Sequence, residues 1–277
     1  MMPTFLRRGA LCAALLLVAL PQVSWGQLRP LPPLEWGLFD SDRVATARIG
    51  AGVLLDQRAS LAGTEGRLIE LGEFSVGVRS GRMAMEISGT ILRLFDDRTV
   101  FAEPYGGARE PAGTRRRDAG DFRVATIVML TPIESDASVA LRFGTRLPTT
   151  DNEIGLERDR TDFFALLAGR LQRGGFWLGG EAGVGINGTH DPDLEQSDVL
   201  MYSVTAAHES DWFSPQVSLV GHMDGMTGWA LRGNEELAEV RVGARVGREV
   251  WAQLEAVHGL VPFSPRLGAL MYVGIAR

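Results

Sequence analysis

The feature that most constrains this chain is an alternation of apolar with polar or small side chains that repeats every two residues over long stretches. In 162–172 and 175–187, two such stretches flank a Gly-rich turn, and each has one continuously apolar side. Because successive side chains of a β-strand point to opposite faces, this period predicts strands. The two stretches together predict a hairpin that is apolar on one face and small or polar on the other.

The same alternation recurs along the chain and predicts twelve strands. They are 43–56, 67–79, 82–95, 119–132, 137–147, 162–172, 175–187, 197–208, 214–223, 236–247, 250–259 and 267–276. Most of them are much longer than the roughly five or six residues of a typical soluble strand. They reach the roughly nine to eleven residues that a tilted membrane strand needs.

The connections between these strands alternate in length along the chain. The predicted long ones are 57–66, 96–118, 148–161, 188–196, 224–235 and 260–266, and the short ones are 80–81, 133–136, 173–174, 209–213 and 248–249. Outer-membrane barrels sort their loops in this way, with short periplasmic turns and longer outer loops. We therefore expect an all-β fold, an antiparallel up-and-down transmembrane β-barrel of about 12 strands in the bacterial outer membrane. A secreted, soluble β protein that packs its apolar faces inward is the alternative.

The N-terminus has the composition of a secretory signal peptide. Arg7 and Arg8 precede the apolar stretch 10–20, and Ser24 and Gly26 supply small residues before a cleavage point. A short membrane anchor is the alternative interpretation of this apolar stretch. The expected organisation is a signal peptide over 1–26, an N-terminal periplasmic segment over 27–42 and the outer-membrane barrel over 43–277.

Two stretches resemble known outer-membrane barrels. "RLGALMYVGIAR", at the C-terminus, resembles their terminal strand, although it does not end on an aromatic residue. "LRFGTRLPTTDNE", followed by "TDFFALLAGRL", resembles the outer-membrane transporters associated with the meta-pathway of phenol degradation. The matching positions are Gly144, Leu147, Pro148, Thr149, Asp151 and Asp162. The resemblance implies an exported barrel that passes small organic molecules. For an outer-membrane barrel we also expect outer-membrane lipid and the barrel-assembly machinery as partners.

If the apolar faces contact lipid, the opposite faces line the lumen and carry charges. The lumen-lining residues that we single out are Arg48, Glu86, Arg142, Arg146, Glu181, Glu239, Arg241, Arg245 and Glu255. Because an isolated charge without water is costly, these side chains either pair with one another or line an aqueous path. Pairing predicts a non-conducting barrel that serves as a structural anchor or surface scaffold. An aqueous path predicts a channel or passive transporter for small solutes, which we favour.

The remaining chemistry is sparse. The formal net charge of −6 becomes −8 when Arg7 and Arg8 leave with the signal peptide, so nucleic acid is not an expected partner. His208 and Ser210 share one strand face, which keeps an outer-membrane lipid hydrolase as a further alternative. No third catalytic residue accompanies them, and we do not expect an enzyme. The histidines show no ligand spacing, so neither a metal nor a cofactor is expected.

Overall fold

The computed structural model describes residues 28–40, 43–111, 113–133, 135–189, 193, 195–210, 212–224 and 232–277. The predicted signal peptide, 1–26, lies outside these residues. Within the described ranges, none of the helices is long and apolar enough to cross a membrane. Two short 3-10 helices, Trp36–Phe39 and Asn152–Ile154, accompany the strands.

The described sheet has thirteen strands, of which twelve form a closed barrel. Their bounds are β1 Ala45–Ala59, β2 Thr64–Ser80, β3 Met83–Val100, β4 Arg115–Asp118, β5 Phe122–Met129, β6 Ala137–Leu147, β7 Asp162–Arg173, β8 Phe176–Gly188, β9 Gln196–His208, β10 Phe213–Asp224, β11 Leu237–Val246, β12 Val250–Gly259 and β13 Leu267–Ala276. The barrel strands pair antiparallel in chain order, and β1 pairs with β13 to close the sheet. The short β4 adds to the edge of β3. The predicted twelve-stranded antiparallel barrel is confirmed.

The two faces of the barrel wall differ in polarity. On the outer face, apolar side chains such as Met85 and Val242 are more than half exposed. On the inner face, their chain neighbours Glu86 and Arg241 are buried. A barrel that exposes apolar side chains around its outside and buries charged ones inside suits lipid, because lipid replaces water only at the outer face. The wall is therefore that of a membrane-spanning barrel.

Both ends of the barrel chain lie at the same rim. Thr46 pairs with Ala276, and this rim also carries the tight turns 81–82, 174–175 and 247–249. Because short turns belong to the periplasmic side of such barrels, we call this rim periplasmic and the opposite rim extracellular.

Two predicted long connections are shorter in the structure. The predicted loop 96–118 contains the end of β3, which runs to Val100, and the whole of β4. The long loop expected over 57–66 is reduced to 60–63, because β1 continues to Ala59 and β2 begins at Thr64. Asp56 has a φ of 52°, and the pairing resumes at Gln57 after a register shift. A bulge of this kind breaks a strict two-residue period, so the pattern stops before the strand does. Since the periplasmic connection 130–136 is longer than this loop, length alone does not sort the loops.

A second irregularity, at Gly72 of β2, changes which side chains face inward. Gly72 has a φ of 69°, which glycine adopts without strain. A Cβ at this position would lie 2.8 Å from the side chain of Ile91 on β3. The inward positions shift by one residue on both strands, so Glu70 and Arg93 are buried inside the barrel.

Residues 28–40, which we call the inner segment, run through the inside of the barrel. Arg29 forms ion pairs with Glu70 of β2 and Glu239 of β11, which project from different sides of the wall. Further along, the backbone N–H of Leu34 donates to a carboxylate of β8. The inner segment thus contacts the wall around much of its circumference.

This course differs from the periplasmic segment that the sequence predicts over 27–42. The side chains of Leu34, Trp36, Leu38 and Phe39 pack against inward-facing alanines of β3, β6 and β7 and against apolar residues of β5. In the periplasm these side chains would be exposed to water. Burial of their apolar surface therefore explains the position of the inner segment, and the small alanine side chains provide the space.

Candidate functional site

The middle of the barrel is organised around Arg142 of β6. Its guanidinium pairs with Glu181 of β8 and with Glu86 of β3, each at 3.2 Å. It also donates to the backbone carbonyl of Pro32 at 2.9 Å. Glu181 in turn accepts a hydrogen bond from the backbone N–H of Leu34 at 3.0 Å. This middle cluster joins the inner segment to the wall through buried, charge-assisted hydrogen bonds.

Toward the extracellular rim, ten charged side chains form one connected set of ion pairs, which we call the extracellular ionic network. Its members are Arg29, Glu70, Arg93, Asp121, Arg146, Glu157, Arg158, Asp162, Glu239 and Arg241. All ten are at most 6% exposed, and the five cations match the five anions. Charge balance is required here, because each unpaired buried ion would cost on the order of several kcal/mol.

The loop between β6 and β7 supplies the centre of this network. Glu157 pairs with Arg93 at 2.6 Å and with Arg146 at 3.1 Å. The adjacent Arg158 pairs with Asp162 at 2.6 Å. The loop therefore folds inward, and its charged side chains occupy the extracellular half of the lumen.

Burial and pairing act in opposite directions on the groups of the extracellular loops. Burial favours the protonated form of Glu157, but Arg93 and Arg146 together hold its pKa below the ordinary value. For Arg158, burial dominates and lowers the pKa to about 10. Burial also raises the pKa of Glu235, in the loop before β11, well above its ordinary value. The pKa values of two buried carboxyl groups at the same rim are thus shifted in opposite directions.

The periplasmic half of the lumen contains a cavity of about 740 Å³, which we call the periplasmic cavity. The 3-10 helix of the inner segment packs against β3, β5, β6 and β7. The cavity therefore extends mainly along β9 to β13 and β1, and it reaches the turns at the periplasmic rim. Its charged lining includes Glu35, Arg48, Arg241, Arg245 and Glu255.

The nine side chains predicted to line the lumen all face the inside of the barrel, but the structure separates them into three groups. Glu86, Arg142 and Glu181 form the middle cluster; Arg146, Glu239 and Arg241 belong to the extracellular ionic network; Arg48, Arg245 and Glu255 border the periplasmic cavity. The first two groups are held in buried ion pairs. The third group borders open space together with Arg241, and of its three members Arg48 also pairs with Glu35.

The two-residue pattern does not predict the inward position of several charged residues of the interior. Arg29 lies in a segment predicted to be periplasmic, and Glu157 lies in a loop, where no period exists. Glu70 and Arg93 appear on the outward side of an unbroken alternation, because the pattern does not register the shift at Gly72. A glycine inside a strand is the one sequence signal that could have indicated this shift.

In the structure, the side chains of His208 and Ser210 each contact other residues. The ring of His208 lies against Phe176, with 4.4 Å between ring centroids, and Phe176 is exposed on the outer face. The hydroxyl of Ser210 donates to the backbone carbonyl of Phe213 at 2.5 Å. Among the described residues, no three acidic, histidine or cysteine side chains are grouped as metal ligands.

Comparison with known proteins gives a fold but no family. No family model and no curated protein matches the chain. The COG4313 outer membrane channel from Pseudomonas putida F1 is similar in structure, with a TM-score of 0.60 and 12% identity over 92% of this chain and 100% of that chain. LpxR from Salmonella typhimurium has a TM-score of 0.39 and 10% identity over 83% of this chain and 99% of that chain.

The likeness to the Pseudomonas protein shows a shared fold. The resemblance to the meta-pathway transporters stays a prediction. The closed antiparallel wall, its apolar outer face and its charged interior identify an outer-membrane-type β-barrel, located in the bacterial outer membrane.

Proposed function

We propose that this protein is an outer-membrane channel or passive transporter for small solutes. The observation that carries the proposal is the periplasmic cavity, which lies inside a charged lumen and ends beneath the inner segment. A closed barrel satisfies its own backbone hydrogen bonds, so lumen side chains are free to tune passage. The structurally similar Pseudomonas protein is described as an outer membrane channel, which supports the same role.

The inner segment is the main obstacle along the proposed path. Toward the extracellular side it is held by the ion pairs of Arg29 and by hydrogen bonds at Pro32 and Leu34. Water that enters the lumen can take over these hydrogen bonds and solvate the separated charges. At the periplasmic side, 36–39 are anchored by apolar packing. We propose that the polar part moves aside during passage while the apolar part holds the segment in the barrel.

A non-conducting barrel that acts as an anchor or surface scaffold is the second candidate. The extracellular ionic network favours it, because ten paired charges occupy the extracellular half of the lumen. In both cases, outer-membrane lipid and the barrel-assembly machinery are proposed partners, and nucleic acid is not.

Recording single channels in planar lipid bilayers distinguishes the two candidates. The full chain is refolded in detergent, and its fold is verified by heat-modifiable migration on a gel. Discrete conductance steps that are absent from a heat-unfolded control support a channel. A correctly folded preparation without conductance would eliminate the channel and leave the scaffold.

We also propose that the protein is not an enzyme. His208 faces the outer side and Ser210 is engaged by the backbone of its own turn, so neither is poised against a lipid ester. Incubation with phospholipid and lipopolysaccharide, followed by mass spectrometry of the lipids, tests this. Hydrolysis that disappears in a Ser210→Ala variant would overturn it.

A further inference from the structure

Arg245 of β11 differs from its neighbours in the wall of the periplasmic cavity. Arg48 pairs with Glu35 at 2.7 Å, and Arg241 pairs with Glu239 at 2.9 Å. Among the residues that the structure describes, Arg245 has no carboxylate partner, and its one side-chain hydrogen bond goes to a neutral amide. This half-buried cation makes no direct ion pair with a carboxylate of the described residues and is therefore available to an anion from solution.

Two contacts hold the guanidinium of Arg245 in a fixed orientation. It stacks over the ring of Trp251, 4.2 Å from the centroid. Its Nε–H donates to Oε1 of Gln253 at 3.1 Å. Gln253 is itself fixed, because its Nε2 donates to Glu255 at 2.7 Å. With the Nε and one face engaged, the two Nη groups remain as donors beside the cavity, and little side-chain entropy is left to lose on binding.

The space beside Arg245 is large enough for a ligand. The cavity that it lines has a volume of about 740 Å³. Arg123 of β5 also has no carboxylate partner in the described part of the chain, but it borders a gap of about 20 Å³. A gap of that size holds about one water molecule. Of these two arginines, Arg245 is the one that combines an unpaired charge with room for a solute.

We propose that Arg245 is the anion-binding residue of the lumen and that it binds small monocarboxylates. The two Nη groups of a guanidinium match the two oxygens of a carboxylate. One unpaired cation suits one negative charge, because Glu35, Glu209 and Glu255 also line the cavity and disfavour a second. Gln253 and Trp251 act as positioning residues. The inference deepens the proposed channel function, on which it rests, by naming a class of solute.

Binding of butyrate to the full chain in detergent micelles tests the proposal. The readout is the ¹H–¹⁵N NMR signal of each arginine Nε–H, and the signal of Arg245 is assigned by its loss in Arg245→Gln. If Arg245→Gln does not fold, Arg245→Lys is used for the assignment instead. Butyrate should shift the Arg245 signal in a saturable manner, and the neutral isostere butyramide should not.

Arg67→Gln is the matched control for this experiment, because Arg67 is an arginine of the wall that pairs with Asp96 and does not line the cavity. In this variant the Arg245 signal should respond to butyrate as in the native chain. The proposal is overturned if butyrate leaves the Arg245 signal in place. It is also overturned if the exposed Arg266 shifts to the same extent, since that would indicate non-specific ion pairing.

Binding and conduction are separable outcomes. Butyrate binding at Arg245 without any single-channel conductance would overturn the channel and support the anion site. Conductance without butyrate binding would support the channel and overturn the site. Where both are present, Arg245→Gln should shift the ion preference toward cations, and Arg241→Gln should change it less because that charge is already paired.

Discussion

Glu157 and Glu235 are buried carboxyl groups in extracellular loops, yet their surroundings are opposite. Despite its burial, Glu157 has a pKa below the ordinary value because two arginines flank it, whereas burial raises the pKa of Glu235 well above it. A lowered pKa stabilises the fold above the unfolded-state pKa, and this contribution is lost as the pH falls through the folded-state pKa. A raised pKa has the opposite sign, so its contribution is lost as the pH rises.

Replacing Glu157 by Gln should therefore lower the free energy of unfolding at pH 7 by about 3 kcal/mol, at the lower end of the range for breaking a buried ion pair. We expect a loss at the low end of this range because Arg93 remains paired with Glu70 and Arg146 remains paired with Asp162. The loss should shrink as the pH falls below 4.5, the ordinary pKa of this group. Urea unfolding in micelles at several pH values measures the effect.

Glu235→Gln is the matched variant with the opposite expectation. It should stabilise the protein at pH 7, because burial disfavours the ionised form of the native carboxyl group, and change little at pH 4. If both variants showed the same dependence on pH, the contrast between a carboxyl group dominated by arginine partners and one dominated by burial would be wrong.

Arginine substitutions at Val242 and Val246 test which side chains of β11 face lipid and how deep in the bilayer they lie. Both are more than half exposed on the outer face, but Val246 ends the strand at the periplasmic rim. Val242→Arg should cost roughly 2–4 kcal/mol near the bilayer midplane, and Val246→Arg roughly 0–1 kcal/mol near the interface. Unfolding in lipid vesicles provides both values. A larger cost for Val246→Arg would mean that the depth of the strand is misassigned.

At the scale of the element, the two-residue period locates strands but not their irregularities. The predicted strands 162–172 and 175–187 match β7 and β8 within one residue at each end, because their alternation is unbroken. At Asp56 and Gly72 the backbone has a positive φ, and the side chains on either side of each position alternate out of step. The two-residue period of the sequence does not reveal this change. The inward course of the loop that carries Glu157 also has no periodic signal, since it depends on partners supplied by other strands.

A comparison of Gly72 with Gly81 separates the backbone strain of a substituted glycine from the steric contact of the added Cβ. Both have a positive φ, so an Ala at either position carries a strain of roughly 1–2 kcal/mol. A Cβ on Gly72 would also press against Ile91, whereas nothing lies within 4 Å of a Cβ on Gly81. Gly72→Ala should therefore destabilise the barrel more than Gly81→Ala in urea unfolding. Equal losses would show that the contact with Ile91 does not constrain the bulge.

At the scale of the whole molecule, topology is far more predictable than the content of the lumen. Alternation is local, so a short window of sequence reveals each strand and the order of strands follows from the chain. The lumen is filled by contacts between distant residues, such as Arg29 and Glu239, which are 210 positions apart. Which side chains meet across the barrel depends on register, bulges and the inner segment together. The sequence predicts that the nine singled-out residues face inward, but not how they divide between ion pairs and open space.

The conductance of an Arg29→Ala variant tests most directly the claim that the lumen is a solute path obstructed by the inner segment. Removal of Arg29 removes the ion pairs that hold the segment to the wall, while Glu70 keeps Arg93 and Glu239 keeps Arg241 as partners. Arg266→Ala is the control, because it removes an exposed ion pair outside the lumen. We predict single-channel steps in the native chain, larger steps in Arg29→Ala and native steps in Arg266→Ala. Equal conductance in all three folded proteins, or none in any of them, would contradict the account.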